Sequence, residues 1–254
     1  MNPFCDSLLI LPDYQVESSN ACNNLINPSL HEARASCQVL NQTLPERDQL
    51  LHYMVSVGGR VCDSSLLGCK GARGTVRYIG SLEDKKGEWV GVEWDDIDRG
   101  KHSGCWKGTR MFFCQKEGNV ASFVRREKLQ PGIDLLEACA LRYLNQGDSL
   151  HALKDMQFIG LKGYPAASIG DSTKLSLALS NVKSLDLSCC LLSSWDQIIE
   201  LGTALSSLYE LDISNNTLQD LKEDQIIPPS LFPNLARLIV DTMGENACKN
   251  VCSW

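Results

Sequence analysis

The sequence predicts a multidomain α+β protein. A small Gly-rich antiparallel β domain of barrel-like form is followed by a short α/β solenoid of repeats. Three observations predict it. Glycines at 74, 80, 87, 91, 100, 104, 108 and 118 punctuate short β-branched and aromatic runs. From residue 179 a Leu-rich pattern recurs every 26 to 27 residues. Between them, Leu135, Leu136, Ala138, Leu141 and Leu144 recur at helical spacing.

Residues 1–57 are rich in Asn, Ser and Gln, carry Pro3, Pro12, Pro28 and Pro45, and show no sustained periodicity. They read as an irregular or disordered extension, with short helices conceivable over 30–40 and 46–55. Residues 58–132 form the β domain. Val57–Val61 opens it, and Thr75–Ile79 alternates polar with apolar side chains. Trp89–Trp94 reads as a buried strand in which Gly91 permits a close approach. Met111–Cys114 and Ala121–Val124 are read as the later strands, and Pro131-Gly132 marks the exit. The stretch from Cys62 to Lys70 reads as a surface excursion.

Residues 133–178 read as a helical linker, helical to about 145 and then broken by Gly160, Gly163, Pro165 and Gly170. Residues 179–254 carry the repeats. Val182, Leu185, Leu187, Cys190 and Leu192 fit L-x-x-L-x-L-x-x-[NC]-x-L, and Leu208, Leu211, Ile213, Asn216 and Leu218 fit it again. This is the leucine-rich repeat spacing. It places Leu185, Leu187, Leu211 and Ile213 inward on short strands, and Cys190 and Asn216 where the chain turns and its backbone needs partners. Trp195–Ile199 supplies a covering helix. A third unit begins at Leu235, Leu238 and Val240, then loses the pattern. The chain thus reads as a truncated form whose last residues lack a capping repeat.

The net charge of −7 is unevenly spread. Residues 1–57 have two basic and six acidic groups, residues 58–132 fourteen and ten, and residues 133–254 eight and fifteen. The β domain alone is basic, which suits an anionic partner. No apolar run is long enough for a membrane span, and there is no signal peptide pattern. No zinc finger, RNP motif or long basic helix points to nucleic acid. Twelve cysteines without Cys-x2-Cys pairs read as reduced thiols. Cys248 and Cys252, four apart with no His nearby, do not read as a metal site. Neither a metal nor a cofactor is implied. No Gly-x-Ser-x-Gly, Walker or His-Glu-x-x-His motif occurs, so no catalytic residue is assigned.

The most telling run is Gly100-Lys101-His102-Ser103-Gly104. Lys101 supplies a cation beside backbone N–H groups that the glycines leave approachable, and Trp89 and Phe123 supply apolar walls. Such a pocket suits a peptide ending in acidic residues, an aromatic ring and a free carboxylate. As an isolated motif it is more often a plain hairpin turn. Within the frame of residues 57–132, however, the order and spacing resemble the CAP-Gly domain, a microtubule-binding module. The resemblance implies that Trp89, Gly100, Lys101, His102, Ser103, Gly104 and Phe123 line a groove for the acidic tail of α-tubulin. That family's signature reads Gly-Lys-Asn-Asp-Gly. His102 and Ser103 depart from it, and His102 is expected to donate a hydrogen bond and to make binding pH-sensitive when protonated.

Val92-Glu93-Trp94-Asp95, Arg99 before the turn, and leucine-rich repeats after a helical linker resemble the tubulin folding cofactors that carry a CAP-Gly domain. That resemblance implies a cytoplasmic, cytoskeleton-associated protein. Such a protein captures α-tubulin through its C-terminal tail and works with the other tubulin folding cofactors to build the α/β-tubulin dimer. The ubiquitin-like domain of that family is not expected in this chain. The competing reading is a CAP-Gly microtubule adaptor, but those pair the domain with coiled coils, and no sustained heptads occur here.

Overall fold

The computed structural model describes residues 8–10, 55–63, 71–145, 148–219 and 230–240. The helices expected within 1–57, most of the excursion at 62–70 and the end of the third repeat lie outside the described residues. A first strand, β1 (Leu8–Ile10), precedes the β domain. That domain is built from β2 (Arg60–Asp63), β3 (Arg73–Leu82), β4 (Lys85–Trp94), the hairpin β5 (Cys105–Trp106) and β6 (Thr109–Arg110), β7 (Ala121–Val124) and β8 (Leu129–Pro131). Five strands form one antiparallel sheet in the order β7-β4-β3-β2-β8.

Side chains alternate along β4 because the strand period is two. Val90, Val92 and Trp94 join Val55, Val61, Val76 and Leu129 in one apolar core. Gly91 faces the other way and pairs with Tyr78 on β3 and Phe123 on β7, so aromatic residues flank a glycine. Lys107 and Gly108 both have positive φ, 46° and 85°, as the two-residue turn between β5 and β6 requires. Met111–Cys114, expected as a strand, is not one. The N–H groups of Met111 and Phe112 turn to the Gly104 carbonyl, and those of Gln115 and Lys116 to the Glu93 carboxylate, so the segment ties to a loop and a side chain instead of a sheet.

After β8 come β9 (Ile133–Asp134) and α1 (Leu135–Tyr143), the latter within the expected helix. Asp134 and Glu137 form a capping box at its start. Next are β10 (Phe158–Gly160), β11 (Ala166–Ser168), α2 (Ser172–Ala178), β12 (Ser184–Asp186), α3 (Trp195–Ala204), β13 (Glu210–Asp212) and β14 (Arg237–Ile239). A second capping box, Ser194 with Gln197, opens α3. β10, β12, β13 and β14 pair parallel and in register, with Phe158, Ser184, Glu210 and Arg237 aligned. Their starts are 26, 26 and 27 residues apart. β1 pairs antiparallel with β14 at the edge of this ladder.

The ladder begins earlier than the sequence suggested, inside the segment read as a linker. Ile159 and Leu161 occupy the inward positions of Leu185 and Leu187, and Gly163 (φ 75°) the left-handed position of Cys189 and Asn215 (φ 57° and 56°). Tyr164 stands where Cys190 and Asn216 stand, which hides the pattern from the sequence. Inward residues of all four strands, with Leu175 and Ala178 of α2 and Ile198 and Leu201 of α3, share one core.

Candidate functional site

Gly100–Gly104 is a turn clamped to the start of β7. The Lys101 and His102 N–H groups donate to the Ala121 carbonyl at 2.7 and 3.1 Å, and Ala121 N–H returns a bond to the His102 carbonyl at 2.9 Å. Glycine is required at position 100, where a Cβ would lie 1.8 Å from the Asn119 carbonyl oxygen. At 104, φ is +92° and a Cβ would meet the Phe112 carbonyl oxygen at 2.2 Å. The Gly104 N–H donates to His102 Nδ1 at 3.0 Å. Three N–H groups expected to greet a ligand are therefore spent inside the turn. What they fix is the direction of the Lys101 and His102 side chains.

Beside the turn lies an aromatic cluster. The His102 ring stacks on Phe123 at 4.6 Å, and Tyr78, Trp106 and Phe112 each meet Phe123 edge-on at 5.6 to 5.9 Å. Gly91 makes room for it, since a Cβ there would lie 2.3 Å from the Phe112 ring. Trp106 is pinned by its Nε1–H bond to the Glu83 carbonyl at 3.0 Å. Phe113 stands out at 79% exposure beneath the Arg110 guanidinium, 5.0 Å from the ring centre. Arg110 also donates to the Ser103 carbonyl at 3.0 Å. Lys101 is exposed, and the Lys85 ammonium lies 5.8 Å from the Trp106 ring. Cations and aromatic faces thus share one surface.

Of the residues singled out in the sequence, the structure brings together Gly100, Lys101, His102, Ser103, Gly104 and Phe123. Trp89 makes none of these ring contacts. Its ring is instead covered by Arg125, 4.0 Å from the ring centre. Tyr78, Trp106, Phe112, Arg110 and Phe113 were missed. Their one legible signal was Gly91 within an apolar strand, which demands a large neighbour. Burial pushes the His102 pKa below the usual value, and its Nδ1 accepts an internal bond, which leaves Nε2 as the ring's donor. His102 enters the cluster as a neutral ring.

In the ladder, Leu185, Leu187, Leu211 and Ile213 are buried. The Asn216 amide donates to the Leu187 and Ile213 carbonyls at 2.8 and 2.9 Å and accepts from Leu192 N–H at 3.2 Å. Cys190 fills the same place, its thiol donating to the Leu161 carbonyl at 3.2 Å and accepting from the Gly163 N–H. Burial pushes that thiol up to about 12, so it remains a donor.

This five-stranded sheet with its glycine-framed turn is a CAP-Gly domain, and residues 57–129 match the model of that family. Over part of its length the chain is also similar to the tubulin-specific chaperone E proteins. It is 34% identical to the one from Danio rerio over 186 residues, covering 64% of this chain and 34% of the relative. It is 30% identical to the one from Bos taurus over 201 residues (68% and 38%), and 34% identical to tubulin-folding cofactor E of Arabidopsis thaliana over 179 residues (59% and 34%). The chain spans about a third of the length of these curated relatives. The solved CAP-Gly domain of a human kinesin-like protein aligns over 45% of this chain and 91% of its own, at 23% identity and a TM-score of 0.26.

Proposed function

We propose that this chain is a tubulin-binding folding cofactor. Its CAP-Gly surface takes the acidic C-terminal tail of α-tubulin, and its parallel ladder, read as a leucine-rich-repeat solenoid, holds the α-tubulin body. It acts with other tubulin folding cofactors in assembling the α/β-tubulin dimer, in the cytoplasm and in association with the cytoskeleton. The observation that carries the reading is the aromatic cluster around Phe123 edged by Lys101 and Arg110, in a chain related to tubulin-specific chaperone E.

The chemistry follows from that surface. A terminal aromatic ring gains about 0.5–1.5 kcal/mol per ring contact beyond its buried area. The acidic residues and carboxylate meet Lys101 and Arg110, whose charges also speed encounter. Arg110 is held by the Ser103 carbonyl before binding, which lowers its ordering cost. The reading assigns no catalytic residue.

A microtubule adaptor would use the same surface on polymer. Pull-down of soluble α-tubulin, with or without its terminal aromatic residue, by wild type and Lys101→Ala separates the two. Capture of the free subunit, weakened by either change, supports the cofactor. Sedimentation with polymerised microtubules without capture of free α-tubulin favours the adaptor.

A further inference from the structure

The CAP-Gly domain and the ladder meet along a polar seam. The Arg73 guanidinium donates to the Asn215 carbonyl at 2.7 Å. Asp95, whose N–H bonds the Arg73 carbonyl at 2.8 Å, accepts a hydrogen bond from the Thr217 side chain. One turn of the ladder is thus gripped by two adjacent residues of the sheet. That turn is exact in its placement, because Asn215 is left-handed and Asn216 anchors it from within. Between the surfaces lies a cavity of about 140 Å³ with Arg60, Arg77, Glu93 and Lys116 on one wall and Thr217 and Gln219 on the other.

The gripped strand end also carries the groove. Glu93, 4% exposed, accepts from Gln115 N–H at 2.9 Å, Lys116 N–H at 2.8 Å and Arg77 Nε at 2.7 Å. Lys116 Nζ donates to the Asp95 carbonyl at 2.9 Å. Residues 111–116 therefore hang from Glu93 and Asp95 at one end and place Phe112 and Phe113 in the aromatic surface at the other. Burial opposes the Glu93 charge, but the Lys116, Arg77 and Gln115 bonds outweigh it and hold the carboxyl below its ordinary range.

We propose that Glu93 is a positioning residue that couples docking of the CAP-Gly domain on the ladder to the shape of the peptide surface. Docking fixes the end of β4, β4 fixes residues 111–116, and these fix Phe112 and Phe113. A seam held by hydrogen bonds and lined by a cavity is expected to open more readily than either core. By linkage, a ligand that needs the ordered surface favours the docked arrangement, and docking raises affinity by the same factor. The proposal rests on the reading of that surface as the ligand site.

The test uses the full chain with Arg73→Met/Thr217→Val, which removes these two hydrogen bonds across the seam and leaves Glu93, Asp95 and Arg60 in place. The probe is a synthetic peptide ending in Glu-Glu-Tyr. Small-angle scattering reports seam opening, hydrogen exchange the Gln115 and Lys116 amides, and titration the affinity. The expected result is an opened seam, faster exchange at both amides and affinity weakened about fivefold or more. Glu93→Gln reproduces the last two with the seam closed. An open seam with unchanged exchange and affinity overturns the coupling, and so does a seam that stays closed. If the wild type does not bind the peptide, the ligand-site reading fails by itself, and the amide exchange still decides whether docking orders the loop.

Discussion

Removing the Asn216 side chain tests the ladder where one residue does the most. In Asn216→Ala, the Leu187 and Ile213 carbonyls and the Leu192 N–H lose their partner together. Asn216 is 4% exposed, so water does not readily replace it. At about 1–2 kcal/mol for each buried group left unpaired, the cost is about 3–6 kcal/mol. That is a large part of a typical domain stability of about 5–15 kcal/mol. Cys190 is the internal control. It occupies the same repeat position with a thiol, a weaker hydrogen-bonding group than an amide, so Cys190→Ala is expected to cost about 1–3 kcal/mol. Urea unfolding followed by far-UV circular dichroism reads α1, α2 and α3, which belong to this part of the chain and not to the β domain. An unchanged m-value assigns the shift to stability. A loss below about 1 kcal/mol for Asn216→Ala, or one no larger than that for Cys190→Ala, refutes the reasoning.

Three further outcomes follow from the same geometry. Gly100→Ala drives a methyl into the Asn119 carbonyl, so the β domain is expected to lose about 1–3 kcal/mol and the Lys101–Ala121 amide bond its exchange protection. His102 binds its proton less readily folded than at its ordinary 6.5, so the unfolded chain takes up more protons in acid. Its contribution to stability is complete above about pH 6.5 and declines as pH falls below it, which a pH series of melting temperatures checks and His102→Phe should flatten. Leu211→Ala empties a fully buried position on the central strand β13 and is expected to cost about 2–5 kcal/mol in the same urea assay.

Local rules made much of the fold legible. β3, β4, β7, α1 and α3 fall where alternation, glycine punctuation and helical spacing put them, because each satisfies its backbone with neighbours of its own kind. What stayed hidden depends on distant partners. Met111–Cys114 has strand composition, yet its N–H groups bond the Gly104 carbonyl and the Glu93 side chain, which no periodicity records. The first ladder strand was masked by Tyr164 in place of Asn or Cys. The turn at 100–104 was readable as a turn, but not that its N–H groups are consumed internally. Nor was it readable that Trp106 and Phe112 stand at Phe123 while Trp89 lies under Arg125. Register and side-chain direction across strands decided those placements.

The central claim is that the cation-edged aromatic surface captures an acidic, aromatic-ended C-terminal tail. Calorimetric titration of wild type and Lys101→Ala with a peptide ending in Glu-Glu-Tyr, and with the same peptide lacking its tyrosine, addresses it directly. The account predicts saturable binding by the wild type, weakened about tenfold or more by either change. Binding that survives both changes undiminished contradicts it.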